Sequence, residues 1–530
     1  MGLTTYSINT ALKLAYAPSN RALLGVKDLA GTQERLLLAM CRAAARTDFG
    51  FMFGLSAIQS VEEFRRLVPL SKWDDYVPAV ERIKAGDANV LTGEPVKLLE
   101  PTSGSTAAKK LVPYTAGLSR QFRGGIQPWL HDLYASFPVA TGRSYWSVTP
   151  AVTHPSDVSK VPVGFAADAE YLGPLASKAM EQVFAVSQSV ARAQSMDDFR
   201  LQTALQLLDA GDLTLVSVWN PTFFTLQLEW MSEHADSLVP WLKRARRLGG
   251  SVQAGDWQWV WPKLAVISCW ADANAALPAE RLRTQFSHAQ LQPKGLLATE
   301  AIVSIPITRA GGAVLAARSH FFEFLTDKGD ALLANEVQEG QTYEVVVTTA
   351  GGLYRYRMGD LVQVTGFHGV LPVLRFVGRS DRVSDLVGEK LSEALVTEAL
   401  RRIGFTGFVL LAPETGVSPT DRDVTSKPSP TDLDLIGATD SANQESRPHY
   451  VLYTAGPREL AERLERELRE SFHYDYARRL GQLAAVKYVH VEDGAERILA
   501  ERVRRGQRLG DIKPTVLDLD GLSSLFTTSR

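Results

Sequence analysis

Cysteine, long apolar runs and an excess of either charge are all scarce in this chain. Two cysteines among 530 residues, Cys41 and Cys269, offer no pattern for a disulfide framework or a thiolate metal site. No window reaches the roughly 18 uninterrupted apolar residues of a membrane span. The balance of 57 basic against 59 acidic residues gives no electrostatic case for a nucleic acid or an anionic membrane as partner. We therefore expect a cytoplasmic protein, a monomer or weak homodimer, that acts on small molecules.

Several familiar catalytic motifs are also missing. The sequence contains neither the HExxH motif of zinc hydrolases nor the GxSxG elbow of serine hydrolases. A hydroxyl-rich loop at residues 102–106 lacks the second glycine of a Walker A loop. An apolar fraction of 45% and a charged fraction of 22% are those of a folded globular protein. At 530 residues the chain exceeds what one hydrophobic core usually covers, so it should contain at least two domains.

The order of predicted elements indicates an α/β fold. Short β-branched and aromatic runs alternate with helical periodicity, which predicts a large N-terminal α/β domain with a largely parallel sheet. Close-spaced strands joined by glycine turns then predict a small antiparallel, β-barrel-like subdomain. The predicted strands are at 144–149, 213–219, 264–270 and 301–307 in the first set, and at 343–349, 361–365 and 373–377 in the second.

A polar, hinge-like stretch at 377–382 predicts the domain boundary. Residues 1–380 would form the large domain, and residues 381–530 a smaller, mobile α+β domain with predicted helices at 391–403 and 456–480. A segment near 413–447 is rich in Pro, Ser, Thr and Asp, and we interpret it as a flexible insertion between two strands of the small domain.

The most informative segment is a hydroxyl-rich loop that is followed by two lysines. A glycine keeps side-chain bulk away from an anion, hydroxyl groups donate hydrogen bonds, and successive N–H groups form a concave nest. Lys109 or Lys110 would add positive charge. The pattern is typical of a phosphate-binding loop, although an ordinary surface turn has the same composition. The residues of the loop are Thr102, Ser103, Gly104, Ser105 and Thr106.

Two further motifs place a carboxylate beside a possible nucleotide contact. Thr299 and Glu300 adjoin just before an apolar strand, where the acid could hold Mg²⁺ and the hydroxyl a phosphate; a solvated pair at a strand edge is the alternative. The motif YRYRMGD, from Tyr354 to Asp360, ends in an acid after glycine, as a ribose-binding carboxylate would. We expect the Asp360 carboxylate to be partly exposed in an open cleft; a cross-strand Arg–Asp pair is the alternative.

The last motif stands at the domain boundary. Gly378 and Arg379 are followed within about a dozen residues by the turn Gly388-Glu389-Lys390, so that two cations, a hinge and a glycine turn lie close together in sequence. Lone basic residues at such a boundary are usually solvated, which leaves the motif uninformative by itself.

The order and spacing of these motifs resemble the Gretchen Hagen (auxin-responsive) family of acyl-acid amido synthetases, distant members of the adenylate-forming enzymes. The resemblance begins at Thr47-Asp48-Phe49-Gly50 and includes the hydroxyl loop, the Thr-Glu pair, YRYRMGD and GRSDRVSDLVGEKLSE, so it spans most of the chain. It implies a ligase that uses ATP and Mg²⁺ to adenylate a carboxylic acid, and that then transfers the acyl group to an amine, typically an amino acid, to form an amide.

The resemblance also implies roles for particular residues. Residues 102–106 and Thr299 would contact phosphates, Glu300 would serve Mg²⁺, and Tyr354, Asp360 and Arg379 would lie on the nucleotide side, with Asp360 on the ribose hydroxyls. Lys390 would stabilise charge during adenylation, and Lys513 is the second lysine for that role. Arg123 and Trp129, on the helix after the loop, would face the acyl substrate. Trp129 stands near the position of an arginine in some relatives, which favours an aromatic or apolar acid.

Three alternatives share parts of this pattern. An acyl-CoA ligase would share the adenylation half of the reaction. A Ser/Lys amide hydrolase would use a hydroxyl loop with a lysine, but it leaves YRYRMGD unexplained. A non-catalytic nucleotide-binding protein would not need Glu300, Asp360 and Lys390 together.

Overall fold

A computed structural model gives the fold of most of the chain. It describes residues 2–102, 110–147, 159–163, 182–187, 189–190, 193, 195–244, 248, 250–380, 382–415, 447–507 and 512–527. Four of the predicted loop residues, Ser103, Gly104, Ser105 and Thr106, lie outside the described residues, as does most of the predicted insertion at 413–447.

The chain divides into two compact units. The first is formed by Met1–Gly378 together with Arg502–Lys513, and the second by Arg379–Glu501 together with Pro514–Arg530. The predicted roles of the two domains, with their boundary at residue 380, stay predictions. The sequence pattern assigned all residues after 380 to one domain, whereas Arg502–Lys513 groups with the first unit.

Helices of the first unit begin where the sequence supplies capping side chains. The side chains of Asp28, Thr47, Ser60, Thr115 and Asn220 each accept a hydrogen bond from a backbone N–H of the first helical turn. The described helices are α1 (Gly2–Leu24), α2 (Leu29–Ala44), α3 (Asp48–Met52), α4 (Val61–Leu67), α5 (Trp73–Lys84), α6 (Ala116–Ser136), α7 (Met196–Asp209), α8 (Pro221–Glu233), α9 (Ala235–Leu238), α10 (Trp257–Val260) and α11 (Ala276–Gln285).

A four-stranded parallel sheet and a short hairpin lie in the first unit. Its hairpin pairs β1 (Leu98–Pro101) with β2 (Leu111–Tyr114) in antiparallel register. The parallel sheet has the order β3-β4-β5-β6, with strands β3 (Arg143–Trp146), β4 (Leu213–Ser217), β5 (Val266–Cys269) and β6 (Gln290–Pro293). Since ligands bind at the carboxyl ends of such strands, the residues that follow Trp146, Ser217 and Pro293 stand at the functional edge.

A seven-stranded sheet carries Asp360 and Arg379. Its order is β10-β9-β11-β12-β13-β8-β7, from strands β7 (Ser304–Ile307), β8 (Gly312–Leu315), β9 (Phe321–Leu325), β10 (Ala331–Leu333), β11 (Thr342–Thr348), β12 (Tyr356–His368) and β13 (Leu371–Arg379). The strands predicted at 343–349, 361–365 and 373–377 correspond to β11, β12 and β13. The run at 301–307 was predicted for the parallel sheet; that placement is wrong, because β7 pairs with β8 in antiparallel register.

The second unit is an α+β unit, as predicted. Antiparallel strands β14 (Val383–Ser384) and β15 (Leu391–Ser392) form a small hairpin, and β16 (Val409–Glu414), β17 (His449–Thr454) and β18 (Lys487–His490) form a sheet in that order. The described helices are α12 (Glu393–Ile403), α13 (Glu459–Leu468), α14 (Phe472–Arg479), α15 (Gly494–Arg504) and α16 (Ser524–Thr527). Among the described helices, none has both the length and the apolar character that crossing a membrane requires.

Candidate active site

Thr299 and Glu300 stand at the tip of a tight hairpin that leads into β7. Leu297 pairs with Ile302 across the hairpin, and the Ala298 N–H donates to the Ala301 carbonyl at 3.0 Å. Both tip residues are partly exposed. The hydroxyl of Tyr114, at the end of β2, donates to the Thr299 carbonyl at 2.8 Å. The strand that follows the hydroxyl-rich loop therefore fixes the hairpin that carries the predicted metal ligand.

A buried histidine holds the other side of this hairpin. The Ile302 N–H donates to Nε2 of His320 at 3.2 Å, and Nδ1 of His320 lies 3.1 Å from the Gln121 amide oxygen. Burial lowers the pKa of His320 to about 3, so the ring is neutral at physiological pH. Because Nε2 accepts the backbone N–H, the proton is on Nδ1 and donates to Gln121. The ring thus joins helix α6 to the hairpin.

Helix α6 approaches the hairpin at a glycine. A Cβ placed on Gly125 would lie 2.8 Å from the nearest side-chain carbon of Ile302, which is closer than real Cβ contacts come. The close packing of α6 against the hairpin therefore requires glycine at position 125.

Three charged side chains act on the Glu300 carboxyl. Burial raises the pKa of Glu300 above its usual value, and the negative charge of Asp360 raises it further. A hydrogen bond from its own backbone N–H and the positive charges of Lys110 and Lys513 oppose that shift. The Glu300 carboxyl therefore lies near a second carboxylate and two ammonium groups, all in the first unit.

The two arginines of the YRYRMGD motif form ion pairs with glutamates. Arg355 forms a bidentate pair with the buried Glu323, with both N–O distances 2.9 Å, and Arg357 pairs with Glu344 at 2.9 and 2.7 Å. The two arginines of the motif therefore pair with glutamates and fix the start of β12, so that this strand presents Asp360.

Tyr354 is a core residue. It is 2% exposed, its hydroxyl donates to the Leu91 carbonyl at 2.8 Å, and its ring stacks on Phe49 at 4.2 Å. Its predicted contact with the nucleotide stays a prediction, while its described contacts are those of a packing residue. The expected exposure of Asp360 is wrong: the residue is 2% exposed, because β12 carries it into the interior of the seven-stranded sheet.

Lys513 lies in the segment that returns to the first unit. The side-chain amide of Asn220 donates to the Ile512 carbonyl at 2.7 Å, and Nζ of Lys513 lies 5.9 Å from the ring centre of Trp270. Trp270 directly follows β5 at the functional edge of the parallel sheet. Asn220, which caps helix α8, therefore holds the backbone that presents Lys513 near Glu300.

A lysine that the sequence analysis missed lies among tryptophans at the same edge. Lys294 follows β6 and is 3% exposed, and its Nζ donates to Oγ of Ser217 at 2.8 Å. Its Nζ also lies 4.3 Å from the ring centre of Trp129, 5.0 Å from that of Trp219 and 5.7 Å from that of Trp146. We call Lys294 and these three tryptophans the Lys294 cluster. Burial lowers the pKa of Lys294 to about 7.

Trp129 thus lies in a tryptophan-rich region, whereas Arg123 lies six residues earlier on α6 and is partly exposed. The Trp129 Nε1–H donates to the Gln292 amide oxygen at 3.0 Å, and the hydroxyl of Ser268 donates to the same oxygen at 3.1 Å. The Trp219 ring also lies 6.0 Å from that of Trp270. Aromatic rings therefore run from the Lys294 cluster to Lys513.

Thr102, Arg379 and Lys390 are the other predicted site residues that the structure describes. Thr102 is partly exposed, and its N–H donates to the Lys110 carbonyl at 2.9 Å, which brings the two ends of the hydroxyl-rich loop together. Arg379, the last residue of β13, and Lys390 belong to the second unit.

Lys390 is exposed and has a left-handed backbone with φ of 47°. The fully buried Glu389 beside it accepts hydrogen bonds from the N–H groups of Leu386 and Val387, both at 2.8 Å, and from the Tyr450 hydroxyl. This anchored turn fixes the unusual backbone from which Lys390 projects.

Three family models match the chain in order. They are the GH3 family N-terminal domain over residues 23–247, the GH3 family central domain over 313–379 and the GH3 family C-terminal domain over 428–518. Together they cover most of the sequence, and their order is that of the predicted motifs.

The chain is also similar to individual proteins of the same family. A jasmonoyl–L-amino acid synthetase, JAR6 of Nicotiana attenuata, is 24% identical in an alignment 466 residues long that covers 74% of this chain and 78% of that protein. The indole-3-acetic acid-amido synthetase GH3.8 of Oryza sativa subsp. indica is 24% identical in an alignment 436 residues long that covers 70% of this chain and 69% of that protein. A solved structure, AtGH3.15 acyl acid amido synthetase in complex with 2,4-DB, aligns with a TM-score of 0.79 at 17% identity over 97% of this chain and 96% of that one. This likeness confirms the predicted α/β fold class.

Proposed function

The chain belongs to the GH3 (Gretchen Hagen) family of acyl-acid amido synthetases, AMP-forming ligases of carbon–nitrogen bonds, and we propose that it couples ATP, a carboxylic acid and an amine, with an amino acid as the amine. In the first step a carboxylate oxygen attacks the α-phosphorus of ATP, and the bond to pyrophosphate breaks. In the second step the amine nitrogen attacks the acyl carbon, the bond to AMP breaks, and the amine loses a proton.

The observation that carries the proposal is that the charges of Asp360, Lys110 and Lys513 all act on the Glu300 carboxyl. Phosphoryl transfer adds negative charge to phosphate oxygens in the transition state, so a site for it needs cations and backbone donors close to those oxygens. Lys110 adjoins the hydroxyl-rich loop, and Lys513 approaches Glu300 from the returning segment. We assign phosphate contacts to residues 102–106 and Thr299, and the ribose hydroxyls to Asp360.

Mg²⁺ fits the oxygen donors at this hairpin. Among the described residues, no group of three or more His, Cys, Asp or Glu is arranged to hold a metal ion by itself. Mg²⁺ is usually bound through one or two carboxylates, with phosphates and water as its other ligands, and Glu300 can supply the one carboxylate. When bound, the ion would neutralise charge on the phosphates. The protein residues then position the acid and provide the cations.

Lys390 and Arg379 belong to the second unit, and we assign Lys390 the charge-stabilising role in adenylation, with Lys513 as the second lysine. The anchored turn around Glu389 supports this assignment, because a lysine held in a left-handed backbone at the end of a fixed turn has a defined position. Residues in sparsely populated backbone regions cluster at functional sites.

The test is exchange of labelled pyrophosphate into ATP with Mg²⁺ across a panel of carboxylic acids, followed by mass spectrometry of products from an acid-by-amine matrix. We expect exchange with a subset of the acids, and an amide that forms only when an amine is added. Asp360→Asn, which keeps the size of the side chain, should weaken ATP binding while thermal unfolding stays within a few degrees. Formation of a CoA thioester in preference to an amide, or amide hydrolysis without ATP, would contradict the proposal.

A further inference from the structure

Lys294 is a buried cation whose charge the described residues do not neutralise. Its Nζ has one hydrogen-bond acceptor in the described part of the chain, the neutral hydroxyl of Ser217, and three aromatic faces. Among the described residues the titratable neighbour is Cys269, and burial raises the pKa of that thiol to about 12, so it carries no charge at physiological pH. A buried charge is costly unless an opposite charge pairs with it, and the described residues supply none, so the Lys294 cluster suits an anionic ligand.

The location of Lys294 supports a ligand role. It follows β6, Ser217 ends β4 and Trp146 ends β3, so three parallel strands bring their carboxyl ends to this cluster. Trp146 and Trp219 are partly exposed, which places the cluster at the border of the interior. Flat aromatic faces suit a planar ligand.

Lys294 stands apart from the acidic groups of the candidate active site. The main charges that act on the pKa of Glu300 are those of Asp360, Lys110 and Lys513, whereas the titratable group that acts on Lys294 is Cys269. The Trp219–Trp270 pair lies between Lys294 and Lys513, with Nζ–ring distances of 5.0 Å at one end and 5.9 Å at the other. A molecule lying along these rings would have one end at Lys513 and Glu300, and its other end at Lys294.

We propose that Lys294 selects the acyl acid, and that this acid is an aromatic molecule with a second anionic group at the end remote from the reacting carboxylate. The inference rests on the proposed function, because it assigns the reacting carboxylate to the Lys513 end. The ammonium of Lys294 pairs with the second anion, and the rings of Trp129, Trp146 and Trp219 contact the aromatic body. The pocket thus distinguishes a diacid from the matching monoacid.

Direct binding to the full-length protein without ATP tests the inference separately from catalysis. The probes are terephthalate, isophthalate and 4-(carboxymethyl)benzoate, each compared with the amide in which the second carboxylate is neutral. Isothermal titration calorimetry at pH 6.5 should give at least one diacid an affinity about thirtyfold higher than that of its amide, as expected for a buried charge pair. Lys294→Met should abolish the preference, and Lys263→Met, which changes an exposed lysine, should retain it.

The pH dependence provides a second measurement. Because burial lowers the pKa of Lys294 to about 7, the free protein at pH 8.5 holds it mostly neutral, and binding of a second anion then requires uptake of a proton. The preference for the diacid should therefore fall between pH 6.5 and 8.5, and titrations in two buffers of different ionisation enthalpy should report proton uptake at pH 8.5. Lys294→Met should show neither effect.

Several outcomes would overturn the inference. They are equal affinities of every diacid and its amide, an unchanged preference in both Lys294→Met and Lys294→Gln, or no proton uptake at pH 8.5. Lys294→Met should fold, since replacing an unpaired buried charge by an apolar side chain of similar length is often neutral or stabilising; Lys294→Gln is the second variant if it does not. Diacid binding without pyrophosphate exchange for any acid would contradict the proposed function while supporting the anion site.

Discussion

At the scale of single residues, the metal-binding role proposed for Glu300 opposes the effect of its charge on stability. The carboxyl lies beside Asp360 in a poorly solvated position, and both factors raise its pKa. An acid whose pKa is higher in the folded than in the unfolded protein holds its proton more tightly when folded, so its ionisation at neutral pH destabilises the fold. A Mg²⁺ ligand must nonetheless be ionised.

We therefore predict that Glu300→Gln raises the stability of the protein while it impairs the reaction. The neutral amide removes an unfavourable charge next to Asp360, so the free energy of unfolding at pH 7.5 should rise by roughly 1 kcal/mol. The gain should shrink as the pH falls through the raised pKa of Glu300, because wild-type Glu300 then becomes neutral as well. Urea unfolding at pH 7.5 and 5 measures the first effect, and pyrophosphate exchange against Mg²⁺ concentration the second.

The exposed Glu339 supplies the matched control. Glu339→Gln should change neither the free energy of unfolding nor the Mg²⁺ dependence. A loss of stability in Glu300→Gln, or an unchanged requirement for Mg²⁺, would contradict the assigned role.

Single residues also mark where sequence reasoning ends. Thr299, Glu300 and Asp360 could be proposed from the sequence because each stands in a short motif of distinctive composition. Lys294 could not, since a lysine after a strand is ordinarily solvated. Its burial comes from tryptophans at 129, 146 and 219, which only the folded chain brings together. Its place directly before Gly295 and five residues before Thr299 was the available signal.

At the scale of elements, the sequence predicted where most strands lie along the chain but not always which strands they pair with. The run at 301–307 has the same β-branched composition as those at 213–219 and 264–270, yet it belongs to the antiparallel sheet. Composition reports that a strand is buried and leaves its pairing open. Strand β6, Gln290–Pro293, was missed because it is an edge strand with two glutamines and a proline, which are poor strand formers.

The contact between α6 and the Thr299–Glu300 hairpin gives an element-scale prediction. In Gly125→Ala the new methyl group meets Ile302 at 2.8 Å, so either the helix or the hairpin must move. The expected cost is about 1–3 kcal/mol of unfolding free energy, with pyrophosphate exchange reduced more strongly because Glu300 shifts. Gly124→Ala on the same helix is the control, since a Cβ at that position would lie 3.8 Å from the Arg318 carbonyl oxygen, which is an ordinary contact.

Gly124→Ala should raise stability by up to about 1 kcal/mol, because alanine favours a helix over glycine. Thermal unfolding and exchange assays of the two variants separate a general helix effect from a local one. If both variants gained stability equally and kept full activity, α6 would not position the hairpin.

At the scale of the whole molecule, the chain passes between its two units three times. It leaves the first unit after Gly378, returns for Arg502–Lys513 and ends in the second. The sequence alone assigned Lys513 to the C-terminal domain, because periodicity is read along the chain and cannot reveal a segment that returns to an earlier unit. That segment brings Lys513 close to Glu300.

Glu393 connects the final segment to the second unit. Its carboxylate accepts hydrogen bonds from the Thr515 hydroxyl and from the N–H of Val516, at 2.5 and 3.0 Å, and pairs with Arg382 at 2.6 Å. Arg382 also donates to the Leu517 carbonyl at 3.0 Å. This buried pair therefore holds the residues that directly follow Lys513.

We predict that Glu393→Ala loosens this final segment and the second unit while the first unit stays folded. Removing the carboxylate that pairs with Arg382 and accepts from Thr515 and Val516 should cost about 3–5 kcal/mol within the second unit. Hydrogen exchange should accelerate in β14, β15 and the residues after Lys513, whereas the parallel sheet and α6 keep their protection. Glu398→Ala, on the same helix but in an exposed pair with Arg401, should cost about 0–1 kcal/mol. Equal acceleration in both units would mean that they unfold together, so that the network around Glu393 serves the whole molecule and not the second unit alone.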